Sequence, residues 1–283
     1  CILSGVDAGA SEPWAQVVAQ PLMAGALTAG VLVAGQKQGD DPHVSSYDTR
    51  LMETVAGFVG AFIDNAALFA AQHGLFLGTI ETLAASIDAK DQYTAGHSRR
   101  VSLLAWQLAV RVGFDEEQAE RVRICGLVHD VGKIGVPESV LCKAGKLTPE
   151  EFALIKRHPE IGHRILKDLP QFDDVLPGVM HHHERWDGGG YPHGLKGDQI
   201  PLVARILALA DTFDAMSSNR SYRPALSRDR VIDEFRRCAG GQFDPDLVAP
   251  FITLDFTEFD RMVAEARDLA FGTAADIAAR SAA

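Results

Sequence analysis

The stretch Val179-Met180-His181-His182-His183-Glu184-Arg185-Trp186-Asp187-Gly188-Gly189-Gly190-Tyr191-Pro192 holds three of the chain's ten histidines in a row, then an acid, then a Gly-rich turn. Neutral imidazole and carboxylate both accept borderline divalent metals, so such a run suits ligation. About fifty residues upstream stands a second pair, His129-Asp130. Two such segments that converge can complete a site for more than one ion, which points to metal-assisted hydrolysis.

Both segments belong to helical surroundings. From about Gly78 onward the chain reads as almost all helix. His97 to Val112 is periodic and stops at Gly113, and Asp115 to Val131 is closed by Gly132. Thr148-Pro149-Glu150-Glu151 is a capping box with proline at the first helical position, and its helix runs to His158, where Pro159 follows. Phe172–Glu184, Leu202–Met216, Ser227–Cys238 and Asp244–Leu254 are further helical segments. The Ala-rich tail from Thr273 is expected to be frayed or weakly helical.

The N-terminal part reads differently. Residues 22–27 and 30–34 are compact apolar runs punctuated by glycine, as in a buried hairpin. Gln36 to Ser46 is a polar loop. A helix follows from about Tyr47, with Leu51, Val55, Val59, Phe62, Ile63 and Ala66 at steps of three and four. A second amphipathic stretch, Leu75 to Asp88, is either a signalling helix joining two domains or an ordinary helix of the following bundle.

Composition narrows the function classes. The chain has 283 residues, 47% hydrophobic and 23% charged, with a net charge of −11. That balance disfavours a broad surface for duplex nucleic acid and leaves room for a local basic pocket that takes a small phosphate ligand. Cys1, Cys125, Cys142 and Cys238 form no CxxC pair and read as small core hydrophobes in a reducing cytoplasm. The most apolar stretch, Pro21 to Gly35, is about 15 residues long, short of the ~20 that span a bilayer. No membrane segment is expected within this chain.

The candidate ligands fall on separate segments: His97; His129 and Asp130; His158; His182 and His183; and Asp211. Helix neighbours diverge by ~100°, so His129 and Asp130 approach an ion differently. A carboxylate has two oxygens and can bridge two ions, whereas an imidazole nitrogen binds one. Two close ions acidify a shared water and clamp the attacking and leaving oxygens of a phosphoester. Lys133, three residues after Asp130, sits near the same face and suits a phosphate oxygen. His43, His73, His163 and His193 read as structural or surface residues, and His181 as structural or supporting.

These blocks occur in a recognisable order. Gly96-His97-Ser98-x-Arg100-Val101, His129-Asp130-Val131-Gly132-Lys133-Ile134-Gly135, His158-Pro159, His182-His183-Glu184-x-x-Asp187-Gly188-x-Gly190-Tyr191-Pro192 and Ala210-Asp211-x-x-Asp214-Ala215 closely resemble the HD-GYP family, a branch of the HD phosphohydrolases. The resemblance implies a mainly α, all-helical metallohydrolase bundle over residues 78–270, holding iron or manganese and hydrolysing cyclic di-GMP. It implies His97, His129, Asp130 and Asp211 as the basic metal set, with Asp130 bridging and His158, His182 and His183 on the second ion. Lys133 matches the lysine near the scissile phosphate. Gly190, Tyr191 and Pro192 match the substrate-side loop, and Arg220 and Arg223 match positions that hold substrate phosphates, a task suited to the planar guanidinium. Three-metal members carry a glutamate four residues before the first histidine. Here that position is Tyr93, so two divalent ions per chain are expected.

Residues 1–70 resemble the second half of a GAF domain through the hairpin around residues 22–33, the polar loop, Ser46 to Asp48, and the helix through Asn65 and Leu68. That implies a small truncated α+β sensor segment, a linker or first helix over 71–96, and a tail over 271–283. The expected activity is hydrolysis of cyclic di-GMP to linear pGpG and then GMP. The rivals are an HD-type hydrolase of another cyclic dinucleotide or a nucleotide, and a non-catalytic module that docks the dinucleotide or a diguanylate cyclase (GGDEF) partner. A homodimer through the linker helix is the expected assembly.

Overall fold

The computed structural model describes residues 2–6, 14–35, 37–38, 41, 43–90, 95–143, 145–218 and 224–266. Two compact units divide the chain, Cys1–Gly78 and Thr79–Ala283.

In the first unit, β1 (Ile2–Val6), β2 (Trp14–Ala24) and β3 (Leu27–Gly35) form an antiparallel sheet in the order β1-β2-β3. The β2–β3 turn is Gly25-Ala26, with Gly25 at φ 55. Leu27, assigned from sequence to the end of the first apolar run, therefore opens β3 and pairs with Ala24. The hairpin is not buried throughout: Val17 and Val18 are, while Leu27 and Val31 are 76% and 58% exposed. Val31 pairs with Pro21 and so shares a face with Val17; cover therefore changes along the sheet, which an apolar run alone does not reveal.

Helix α1 (Ser46–Lys90) follows. Its start is fixed by a reciprocal cap: the Ser45 amide donates to the Asp48 carboxylate at 2.8 Å, and the Asp48 amide donates to Ser45 Oγ at 3.2 Å. The two stretches expected on either side of Leu75 are this single helix of 45 residues. Gly74 and Gly78 fall inside it, where each costs ~1 kcal/mol relative to alanine without forcing a break. Among the described helices, α1 is long and apolar enough to cross a membrane by length and composition. The sequence reading looked for such a segment only in Pro21–Gly35.

The second unit is a helical bundle. Ile80, Ala84 and Ile87 in the last turns of α1 are buried. Helix α2 (His97–Arg111) packs against α3 (Glu116–Val128) and α8 (Leu202–Ser217). Val101, Leu104, Ala105, Leu108 and Ala109 recur at steps of three and four on α2 and are sealed from solvent. Full burial of each leucine contributes ~1.5–3 kcal/mol. Short helices α4 (Glu138–Leu141), α5 (Pro149–Ile155), α6 (His158–Leu166) and α7 (Leu176–His181) carry the chain around the bundle. The Asp115 and Thr148 capping boxes start α3 and α5. Helices α9 (Arg228–Cys238) and α10 (Pro245–Ile252) close an aromatic cluster in which Phe213 stacks on Phe256 and Phe235 on Phe243.

Two helix ends differ from the sequence reading. Helix α3 stops at Val128, and residues 131–135 form a separate tight turn. His158 does not end α5: it begins α6, with Pro159 in the first turn, where a missing amide proton leaves no bond unmade. Tyr93, Arg220, Arg223 and the tail from Thr273 lie outside the described residues.

Candidate metal centre

Four backbone segments bring the histidines together: the first residue of α2, the end of α3, the first residue of α6 and the residues that follow α7. Close approach of two of them depends on a residue without a side chain. A Cβ at Gly132 would collide with the His158 carbonyl oxygen, so the turn after Asp130 lies directly on the start of α6.

The histidines are aimed by their own backbone. His129 Nδ1 pairs with the Gly126 carbonyl at 2.8 Å, His158 Nδ1 with the Ile155 carbonyl at 2.8 Å, and His182 Nδ1 with the Val179 carbonyl at 2.9 Å. In each pair the carbonyl accepts, so the ring proton resides on Nδ1 and Nε2 presents a bare lone pair. His97 Nδ1 likewise donates, to Asp214 Oδ2 at 2.7 Å. His158 Nε2 and His182 Nε2 then face each other at 3.2 Å with no proton to share. His129 Nε2 is buried without a hydrogen-bond partner. Opposed lone pairs and an orphaned buried nitrogen are unfavourable unless a cation stands between them, and the donor set fits a divalent transition metal.

Asp130 lies at the junction. Its Oδ2 is 3.4 Å from His129 Nε2, 3.6 Å from His97 Nε2 and 2.7 Å from Lys133 Nζ. Its Oδ1 is 3.2 Å from His158 Nε2 and 4.0 Å from His182 Nε2. Each oxygen thus faces a different histidine set. Asp211 Oδ1 lies 3.4 Å from His97 Nε2. Two groups result, His97-His129-Asp211 and Asp130-His158-His182-His183, each with ligand atoms close enough to hold an ion.

The electrostatics of the two groups differ. Burial works against a charge on His97, but hydrogen bonds to Asp130 and Asp214 overcome it and raise its pKa to about 10. Burial likewise opposes protonation of His129, and Asp130 raises it. Burial and the nearby His158 bring His183 down to about 3, and burial with three neighbouring histidines holds His182 well below its ordinary range. Burial opposes ionisation of Asp130, yet Lys133 and His129 keep its carboxyl well below the usual range.

The Gly190-Tyr191-Pro192 loop, the signature loop, is held beside this cluster. Tyr191 stacks on His183, with ring centroids 4.8 Å apart, and its amide donates to the His183 carbonyl at 3.2 Å. The Tyr191-Pro192 peptide is cis. A Cβ at Gly190 would strike the backbone of residues 183–185, so only glycine lets the loop fold back this tightly. The Glu184 carboxylate, fully buried, accepts from the amides of His193 at 2.8 Å and Leu195 at 3.1 Å.

Supporting residues to which the sequence reading gave no role also emerge. Asp214 joins His97 to Arg100, whose Nε and Nη2 donate to its carboxylate, all three side chains being nearly sealed from solvent. Both stand in the quoted blocks, three residues after a proposed ligand, the spacing that shares a helix face. Asp88 accepts from the Ser98 amide at 3.1 Å and hydroxyl at 2.7 Å, next to His97. Lys90 Nζ donates to the carbonyls of Lys133, Ile134 and Val136 at 3.2, 3.0 and 3.0 Å.

The HD domain family matches residues 81–247. The chain is similar to the 3′3′-cGAMP-specific phosphodiesterase 2 of Vibrio cholerae, 34% identical over 214 residues that cover 74% of this chain and 41% of that protein. It is 38% identical over 178 residues to a cyclic di-GMP phosphodiesterase of Thermotoga maritima, covering 62% and 48%. It is 41% identical over 172 residues to the cyclic di-GMP phosphodiesterase response regulator RpfG of Xanthomonas campestris pv. campestris, covering 60% and 46%. The chain spans less than half the length of each of these relatives. Because the family match covers more than half of the chain and includes every residue of the two histidine-aspartate groups, the chain belongs to the HD domain family.

Proposed function

We propose that this chain is a metal-dependent phosphodiesterase that hydrolyses cyclic di-GMP to linear pGpG, and onward to GMP, in cytoplasmic second-messenger signalling. The observation that carries this reading is Asp130, whose two oxygens address two histidine sets. His97, His129 and Asp211 would hold one divalent ion and His158, His182 and His183 the other, with Asp130 shared. Their mixed nitrogen and oxygen donors suit iron or manganese, and Tyr93 in place of a glutamate argues for two ions rather than three. Bound divalent ions acidify water and stabilise charge on a phosphoryl group.

The chain's own residues supply the rest. Lys133, now paired with Asp130 at 2.7 Å, is placed to neutralise a non-bridging phosphate oxygen. Tyr191, stacked on His183 with the Lys156 ammonium 5.3 Å from its ring, is fixed beside the cluster as the substrate-side residue of the loop. Gly190 and Pro192 shape that loop, and Arg220 and Arg223 are assigned to the substrate phosphates on their sequence positions.

The test is hydrolysis of cyclic di-GMP by metal-loaded protein, followed by product chromatography. Release of pGpG that is lost in Asp130→Ala supports the reading, and intact substrate with metal bound defeats it. A second reading, specificity for 3′3′-cGAMP, is favoured by the similarity to a cGAMP-specific relative that covers 74% of this chain. Competition between the two dinucleotides separates them.

The first unit is proposed as part of a GAF-like sensor, which its antiparallel sheet followed by a long helix supports. Leu51, Val55, Phe58, Phe62 and Phe69 on α1 are exposed and follow a spacing of four, three, four and seven, with Asn65 at the intervening seam position. This is the pattern of a two-helix coiled coil, so a second copy of this chain is the proposed partner. A GGDEF cyclase is a further proposed partner, joining synthesis to degradation of one messenger. Phe58→Asp with Phe62→Asp should turn a sedimenting dimer into a monomer.

A further inference from the structure

A third group of potential ligands lies apart from the two that Asp130 joins. His181 is the last residue of α7, Glu184 follows three residues later, and His193 comes just after the Tyr191-Pro192 peptide. One ligand atom from each lies within 4.8 Å of the others. His181 Nδ1 is 3.8 Å from Glu184 Oε1, and the rings of His181 and His193 are 5.2 Å apart.

His181 Nδ1 is buried and has no hydrogen-bond partner. Such an atom costs ~1–3 kcal/mol if left unsatisfied. Glu184 receives one backbone amide on each carboxylate oxygen and retains lone pairs on both. His193 is exposed, which gives an ion a path in from solvent.

We propose that His181, Glu184 and His193 bind one zinc-class divalent ion that fastens the signature loop to the end of α7. The chemistry is two imidazoles and one carboxylate, with an open position for water. Ligands ~2.0–2.2 Å from a tetrahedral zinc stand roughly 3.4 Å apart, so the 3.8 Å between His181 and Glu184 closes with a small side-chain adjustment. The ion would tie His193, two residues beyond Tyr191, to the segment that carries His182 and His183. Its role is to order the loop, not to take part in the proposed reaction, and it does not depend on the substrate.

The experiment uses the full chain, stripped with chelator and reloaded with zinc. Bound zinc is counted after gel filtration, and hydrogen exchange is followed at the His193 and Leu195 amides. His193→Ala, a change at an exposed loop residue, should bind one zinc fewer per chain. It should also lose the zinc-dependent slowing of exchange at those amides. His181→Asn should do the same from the buried side. Equal zinc content and equal exchange in wild type and His193→Ala would overturn the proposal and leave water as the partner of His181.

Discussion

The two halves of the histidine cluster use the same side chain in opposite electrostatic settings. Around His97 stand Asp130, Asp211 and Asp214, and the imidazole is raised to about 10. Around His183 stand other histidines, and it falls to about 3. Ligand identity is thus not ligand behaviour: neighbouring carboxylates make the first half attractive to any cation, protons included, while the second half has only its share of Asp130. The proposed two-ion site would then be filled unevenly, the first half more tightly and with proton release.

The largest effect is expected where the halves meet. Asp130→Ala should remove both ions and reduce hydrolysis by more than the ~100-fold that loss of an outer-shell partner costs. His182→Ala should be more selective, removing the second ion and leaving the first. Elemental analysis beside the assay reads both. Loss of only one ion in Asp130→Ala would show that the halves do not share it.

Asp214→Asn tests what holds the first half. The Asp214 carboxylate accepts from His97 and from Arg100, both buried. An asparagine keeps the shape and removes the charge. Metal affinity of the first half should drop ~10–100-fold, with the second half unaffected, as titration with a competing chelator would reveal.

The pH dependence should also split. In metal-free protein His97 carries a proton below about pH 10, and that proton must leave when an ion binds. Affinity of the first half should therefore rise with pH by up to ~tenfold per unit through neutrality. His182 and His183 are already neutral there and release no proton, so the second half should depend less steeply on pH. Calorimetry in buffers of different ionisation enthalpy counts the protons released at each step; equal slopes would erase the distinction between the halves.

These contrasts were legible in the sequence only in part. Candidate ligands could be picked out because metal chemistry restricts residue type, and the blocks stand in order along the chain. The resemblance already implies that Asp130 is shared by both histidine sets; the structure adds which oxygen faces which set, Oδ2 towards His97 and His129, Oδ1 towards His158 and His182. Asp214 and Arg100 stand in the quoted blocks, yet their pairing spans 114 residues and depends on α2 packing on α8. Helix ends were misjudged where tertiary contact bears on them: His158 begins α6 with its carbonyl directly against Gly132, and Ile80, Ala84 and Ile87 in the last turns of α1 are buried.

The smallest expected effect concerns Lys90, which touches neither histidine set. It spends all three of its N–H donors on carbonyls of residues 133, 134 and 136, the turn that presents Lys133 to Asp130. Lys90→Met keeps the aliphatic stem and removes those bonds. Net stability should fall by ~1–3 kcal/mol, since one of the three bonds is exposed and the others only partly buried. If the turn then drifts, kcat should drop by less than the ~10²-fold that an ångström of misplacement costs, while KM and metal content hold. Lys90→Arg, which keeps the charge and the donors, should recover part of the loss. A lower melting temperature with unchanged kcat would make Lys90 a brace for the bundle alone. A fall in kcat at constant metal content would make the end of α1 a positioning element for Lys133, and so a route by which strain on that helix reaches the site.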